Sequence, residues 1–308
     1  MVDFFALMIP AMVPFLLAAQ GTILAGRVGV FSVAQEGIMV LGASVGFLVS
    51  LKMGGNNLAG ILAAAAVGAL FGLILGYATA ILRLDQFVVG LGSYFAALGI
   101  GSLLYRAVIG TTLEPPLIET LQKAPVPGLS QIPYVGEILF NHDFLVYFAF
   151  LVSFVIYWFM YRTNAGLKFR SIGENPKSAD SVGIKVTATK MWATIIGMAL
   201  VGVAGAYLPM AYTGIFTDGI VAGRGWIVIA LAFLAGWRPH LAVAGAAFFA
   251  GMEVLAFRAQ VGGIGIPHQF VLMLPYLATI VVMLFAFNWS RQPKFLGINY
   301  DRESRLSG

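Results

Sequence analysis

The sequence predicts an all-α, polytopic integral membrane protein of about nine transmembrane helices, within a range of eight to ten, on three observations. First, 60% of its 308 residues are hydrophobic and only 10% are charged, against about 25% charged in soluble domains. A fold of this length has too few charges to cover that much apolar surface, so lipid must be the solvent for most of it. Second, the apolar residues fall in runs long enough to cross a bilayer. Third, thirteen of the 18 Lys and Arg fall on alternate connections between those runs, the bias that marks cytoplasmic loops.

Taken in order, the expected spans are Phe4 to Ala25, Val33 to Leu51, Leu58 to Leu82, Phe87 to Ala107, Phe144 to Tyr161, Met191 to Tyr212, Trp226 to Gly236, Leu241 to Phe257 and Gln269 to Phe287. The first follows Asp3 rather than a basic segment and has no small-residue cleavage site, so it reads as a retained helix. The seventh is too short to span alone and calls for a re-entrant or tilted piece within Gly214 to Gly225. The charge bias places the N-terminus outside and the C-terminus in the cytoplasm. Gly 37 suits helices that approach closely in lipid. Cys 0 excludes disulfides, thiolate metal sites and cysteine nucleophiles. His142, His240 and His268 lack metal-ligand spacing, and no catalytic constellation stands out. The formal charge of +5 is spread over short loops and is no nucleic-acid signal.

Two connections are long. Residues 109–143 lie outside and carry Pro115, Pro116, Pro125, Pro127 and Pro133, which suits an ordered cap, short interfacial helices or a passive connector. Residues 162–190 lie inside and are basic. Within them Asn175 is a good N-cap, Pro176 suits the first helical turn, and Gly183 can take the left-handed position that ends a helix. This writes a short helix of about two turns. It is either a simple joint between spans or a rigid knob that docks on a partner. No Gly-x-x-x-x-Gly-Lys-Ser/Thr loop occurs, so ATP-driven work would need a separate ATPase chain.

Two segments echo each other. Gly29-Val30-Phe31-Ser32 matches Gly214-Ile215-Phe216-Thr217, and Gln86-Phe87-Val88-Val89 matches Gln269-Phe270-Val271-Leu272. The separations are 56 and 54 positions, and by charge the pairs face opposite sides. That is the pattern of an inverted-topology repeat, with halves of roughly 26–161 and 191–288, and it favours a transporter over a membrane enzyme.

The run Arg170-Ser171-Ile172-Gly173-Glu174-Asn175-Pro176-Lys177-Ser178-Ala179-Asp180-Ser181-Val182-Gly183-Ile184 resembles the coupling-loop signature of permeases in the branched-chain amino acid, ribose and nucleoside ABC importer superfamily. Gln35-Glu36-Gly37-Ile38-Met39 resembles the Glu-Gly-Met-Met motif of their second span, although Ser32 and Ala34 stand where Asn and Gly are usual. Ala222-Gly223-Arg224-Gly225-Trp226-Ile227 resembles their Gly-Arg-Gly-Phe/Trp-Ile segment. Ile266-Pro267-His268-Gln269, Leu274-Pro275-Tyr276 and Pro293-Lys294-Phe295-Leu296-Gly297-Ile298-Asn299-Tyr300 resemble the purine nucleoside branch, guanosine-type, which usually has a lipoprotein receptor.

The resemblance implies one permease domain over residues 1–308, with a coupling loop at 162–190 and a cytoplasmic tail at 289–308. It implies a non-enzymatic subunit in the cytoplasmic (inner) membrane of a prokaryote. The chain itself would bind no cofactor, and ATP and Mg would belong to the partner ATPase. Further expected partners are a second permease, identical or homologous, an extracytoplasmic solute-binding protein or lipoprotein, and membrane lipid, with no nucleic acid. Gly173, Glu174, Asn175, Pro176, Ala179, Asp180, Val182 and Gly183 are the expected ATPase-coupling residues. The solute is a nucleoside first, then a simple sugar of ribose type, then a branched-chain amino acid. An ion-coupled secondary transporter is the rival from another class, but the carboxylates stand near interfaces rather than at the midplane.

Candidate pathway or gate residues are Glu36, Gln86, Tyr94, Phe95, Arg224, Trp226 and Gln269. Glu36 is either a solvated interfacial carboxylate or a buried one, for which Arg27 is a local partner. Gln86 and Gln269 either pack or line a polar path. Gln20, Tyr77, Ser93 and Tyr94 are polar groups inside apolar spans, and Tyr94 with Phe95 could stack on a flat base. Arg224 beside Trp226 is a gate, a receptor contact or an interfacial anchor. Glu253 and Arg258 are expected to pair with each other or to contact water.

Overall fold

The computed structural model describes residues 2–110, 115–261, 273–289 and 291–301. Among them are twelve α-helices and no strand. They are α1 (Val2–Arg27), α2 (Gln35–Lys52), α3 (Asn57–Gly76), α4 (Gln86–Ile109), α5 (Val135–Leu139), α6 (Phe144–Arg162), α7 (Asn164–Glu174), α8 (Pro176–Ser181), α9 (Val186–Leu208), α10 (Arg224–Leu234), α11 (Pro239–Val261) and α12 (Leu274–Trp289). Single π-helical turns extend α3 through Tyr77–Ile81 and α9 through Pro209–Thr213. Helix starts are written locally. Asn56 accepts from Ala59 N–H, Asp85 from Val88 N–H, and Asp143 from Leu145 and Val146 N–H.

Six of these helices are long and apolar enough to cross a membrane: α1, α3, α4, α6, α9 and α11, with α3 and α9 taken through their π turns. α2, α10 and α12 stand at the other three expected positions. α2 is less apolar, starting at Gln35–Glu36 and carrying Ser44 and Ser50, because it is buried in protein along most of its length and scarcely needs to satisfy lipid. Ser44 meets its polar need by donating to the Gly101 carbonyl at 2.7 Å.

The centre of the molecule is α9, packed against α1, α2 and α3. Its glycines let backbones touch. A Cβ on Gly197 would strike the Gly21 carbonyl of α1, and one on Gly205 would strike the Met39 carbonyl of α2. Side chains there would hold the helices apart and forfeit the dispersion contacts that drive association in lipid. The apolar window of α9 is 67% buried and that of α4 only 22%, so α9 is core and α4 is rim.

The 109–143 connection is an ordered cap as far as it is described. Ile118 N–H bonds the Gly214 carbonyl, Leu121 N–H the Met210 carbonyl, and Ala124 N–H the His142 carbonyl. Residues 162–190 depart from the single short helix expected: an 11-residue helix, α7, precedes α8. Thr163 caps it by accepting from Gly166 N–H, and it buries Phe169 and Ile172 while Lys168 faces out. α7 is too short and polar to register as a span.

Candidate functional site

α10 begins where the chain turns sharply. Ala222 and Gly223 both take left-handed backbone conformations, φ 49° and 75°. Ala222 has a Cβ and is strained there, and such strain gathers at working sites. The turn aims the first N–H groups of α10 at Glu36. Gly223 N–H donates to Glu36 Oε1 at 2.8 Å and Gly225 N–H to Oε2 at 2.7 Å. Glu36 also lies in the first turn of α2. Two helix N-termini therefore meet head to head, and one carboxylate answers the positive ends of both. Gly225 allows the meeting, since a Cβ there would overlap the Glu36 backbone.

This junction lies deep. Gly37 packs on the Tyr94 backbone, eight residues into α4. At 1.5 Å per residue that is about 12 Å from the start of α4. The solvated reading of Glu36 is therefore corrected: Glu36 is buried. Its partners are backbone donors rather than Arg27, whose Nε instead donates to the Trp237 carbonyl.

Around the junction the structure gathers Tyr94, Phe95, Arg224 and Trp226. The Tyr94 ring lies 4.8 Å from Phe95 and 5.4 Å, edge-on, from Trp226. Phe95 is 60% exposed and Trp226 41%, so this aromatic edge is open on one side. Arg224 Nη1 donates to the Ile220 and Val221 carbonyls, and Nη2 pairs with Glu253 at 2.6 Å. The expected Glu253–Arg258 pair is thus corrected. Residues five apart point about 140° apart around a helix, and Arg258 lies over the Phe4 ring instead. Beside the Arg224–Glu253 pair is a cavity of about 450 Å³, lined also by Tyr212, Gln260 and Tyr276. Tyr276 donates to the Ala222 carbonyl at 2.6 Å. A weaker contact of the same connection, Arg106–Asp218 at 3.0 Å, is exposed. There the Ser102 hydroxyl and the Arg106 guanidinium hold the Asp218 carboxyl below its ordinary pKa.

Gln86 stands apart from this cluster. Its Oε1 accepts from Phe31 N–H and its Nε2 donates to Asn299. Gln20 is buried in α1 and donates to the Pro239 carbonyl, Ser93 is buried on α4, and Tyr77 is exposed on the π turn. Gln269 lies outside the described residues.

α8 forms as expected. Asn175 accepts from Ser178 N–H, Pro176 opens the helix, and Gly183 ends it at φ 82°. Its residues divide by direction. Gly173, Pro176 and Ala179 are turned inward, Asp180 is half-buried, and Glu174, Asn175, Val182 and Gly183 face out. Val182 is 74% exposed. The tail, residues 291–301, runs beneath as a belt that sequence reasoning gave no role. Phe295 N–H bonds the Gly173 carbonyl, and Gly297 N–H the Gly29 carbonyl. Asn299 donates to the Arg83 and Leu84 carbonyls, Tyr300 to Asp180, and Asp301 pairs with Arg83 at 2.8 Å. The Asn299 and Tyr300 that close the tail motif were the available signal.

Residues 4–287 match the family described as branched-chain amino acid transport system / permease component. The chain is 30% identical over 300 residues to the guanosine ABC transporter permease protein NupQ of Bacillus subtilis, covering 95% of this chain and 94% of that one. It is 32% identical over 295 residues to the nucleoside ABC transporter permease protein NupC of Lactococcus lactis, covering 93% of each. A Haloferax volcanii relative, 32% identical over 88% of this chain and 87% of its own, is provisionally named a glucose ABC transporter permease protein. No solved structure matches the chain.

Proposed function

Because this chain belongs to the branched-chain amino acid transport system permease component family, we propose that it is the membrane-spanning half of an ATP-driven importer that carries nucleosides into the cytoplasm. The single observation that carries the coupling is the α7–α8 knob. It is capped at Asn175, pinned by the tail at Gly173 and Asp180, and presents Val182 outward. A rigid projection of that kind can transmit a push, whereas a flexible loop would absorb it. In this reading α2, α10 and α12 complete nine spans, with the N-terminus outside and the knob inside. α10 is about 16 Å long, too short to span alone, and in this reading residues 214–221 lead from the outer surface down to the turn that starts it.

A separate ATPase chain holds ATP and Mg and grips Glu174, Asn175 and Val182. A second permease, identical or homologous, completes the pathway, and an extracytoplasmic solute-binding protein or lipoprotein delivers solute. The left-handed φ of both Gly29 (85°) and Gly214 (69°), each opening an echo segment, supports the inverted repeat. So does the meeting of the helices that follow them. Pathway residues in this reading are Tyr94, Phe95, Trp226 and Arg224, whose open aromatic edge offers flat faces to a base. Glu36 holds the starts of α2 and α10 together, so a tilt of α10 against α2 opens or closes the path. Gln86 acts through the tail belt.

The names of the two bacterial relatives support a nucleoside. The Haloferax relative favours a sugar as the second reading. Reconstitution with the ATPase and solute-binding subunits in proteoliposomes tests the choice. ATP-dependent guanosine uptake, competed by other nucleosides but not by glucose or leucine, is expected. Glucose uptake alone would move the chain to the sugar reading. Uptake driven by an ion gradient without the ATPase would contradict the proposal. Val182→Asp should abolish solute-stimulated ATP hydrolysis and leave Tm unchanged, because an exposed substitution shifts stability by no more than about 0.5 kcal/mol.

A further inference from the structure

The ends of α1, α6 and α7, the start of α11 and the tail line a second, partly open cavity of about 470 Å³. Five cations line it (Arg27, Arg170, Arg238, Arg291 and Lys294), and the sole carboxylate on the described wall is Glu174. None of the five makes an ion pair within 4.0 Å among the described residues. Basic residues at helix ends normally snorkel outward, where water screens them. Here two are drawn inward. Arg27 is only 8% exposed, and its guanidinium is fixed by the Trp237 and Gly236 carbonyls and the Tyr161 hydroxyl. Arg170 stacks over the Tyr161 ring at 4.5 Å, and its Nε is buried with no protein acceptor among the described residues. Five cations around one cavity, with a single carboxylate among the described residues of its wall, are short of negative charge.

We propose that this cavity is a binding site for a phosphate group, supplied by the headgroup of an anionic phospholipid or by soluble phosphate. Arg170 and Arg238 offer planar forks that match phosphate oxygens, and Arg291 and Lys294 close the site from the tail. The aromatic wall of Tyr161 and His240, backed by the Tyr157 ring, gives the site the character of a membrane interface, where basic pockets between helix ends take lipid headgroups. An occupant would touch Glu174, next to the Asn175 cap, and the tail that pins Gly173. It would therefore bear on the knob. The proposal does not depend on which solute is carried.

The test uses the purified full chain in detergent, with thermal unfolding and native mass spectrometry. Short-chain phosphatidylglycerol, matched phosphatidylcholine and sodium phosphate are the probes. Phosphatidylglycerol should raise Tm by several degrees at saturation, with the gain falling as salt rises. Arg170→Gln/Arg291→Gln should weaken the apparent affinity at least about tenfold. Lys294→Gln, on the exposed tail, should weaken it less and keeps the test open should the double variant not fold. A shift with phosphatidylglycerol alone assigns the site to lipid, and one with sodium phosphate alone assigns it to soluble phosphate. Phosphatidylcholine matching phosphatidylglycerol, no shift with either anion, or unchanged affinity in Lys294→Gln and in a folded double variant would overturn the site.

Discussion

The α2–α10 junction and the α8 knob are both held by a few polar contacts, but in opposite settings. At the junction, one buried carboxylate answers two backbone N–H groups at the start of α10. At the knob, an exposed helix is pinned by the Phe295 N–H and the Tyr300 hydroxyl of the tail. Water can replace a lost contact at the knob and cannot at the junction. Damage at the junction should therefore appear as lost folding and transport together. Damage at the knob should appear as lost coupling in a protein that is still folded.

The largest break is Glu36→Ala. It strands the buried Gly225 N–H and the part-buried Gly223 N–H, at up to about 1–3 kcal/mol each, so Tm in detergent should fall steeply and uptake should vanish. Glu36→Gln keeps one acceptor and should fall between. A Glu36→Ala protein with native Tm would contradict the role of the carboxylate. Next is the Arg224–Glu253 pair. Arg224→Ala leaves a largely buried carboxylate without its cation. With side chains 20% and 26% exposed, the cost should be about 1–3 kcal/mol, below that of a fully buried pair. Uptake should drop about tenfold while ATPase binding persists, and Arg224→Ala/Glu253→Leu should recover stability, read as a double-mutant cycle.

Asn299→Ala sharpens the contrast from the other side. It cuts the tail from the Arg83 and Leu84 carbonyls and from Gln86. Tm should shift by only a few degrees, since water reaches the Arg83 and Leu84 carbonyls, while solute-stimulated ATP hydrolysis should fall several-fold. The smallest effect is expected of Ala222→Gly. Relief of a left-handed Ala and the added chain entropy of Gly oppose each other, leaving a net change within about 0.5 kcal/mol.

Much of this was legible in the sequence because it is local. Apolar runs mark the long spans, and Asn175, Pro176 and Gly183 bracket α8 with residues whose own backbone preferences start and stop a helix. The junction was half legible. Glu36, Tyr94, Phe95, Arg224 and Trp226 all stood out as candidates, and the structure draws them together. What holds Glu36 could not be read, because its partners are backbone N–H groups, which every residue but proline carries. The Arg224–Glu253 pair and the tail belt were equally hidden, being set by tertiary packing between residues far apart in the chain. α7 was missed because a short polar amphipathic segment lacks the continuous apolar run that announced the spans.

The central claim is that the knob emerges on the cytoplasmic face, where a motor can push it. The chain has no cysteine, so Val182→Cys introduces a single thiol on an exposed position with no background. A membrane-impermeant maleimide should label it in inside-out vesicles and leave it untouched in intact cells. Labelling in intact cells, with none in inverted vesicles, would contradict the account.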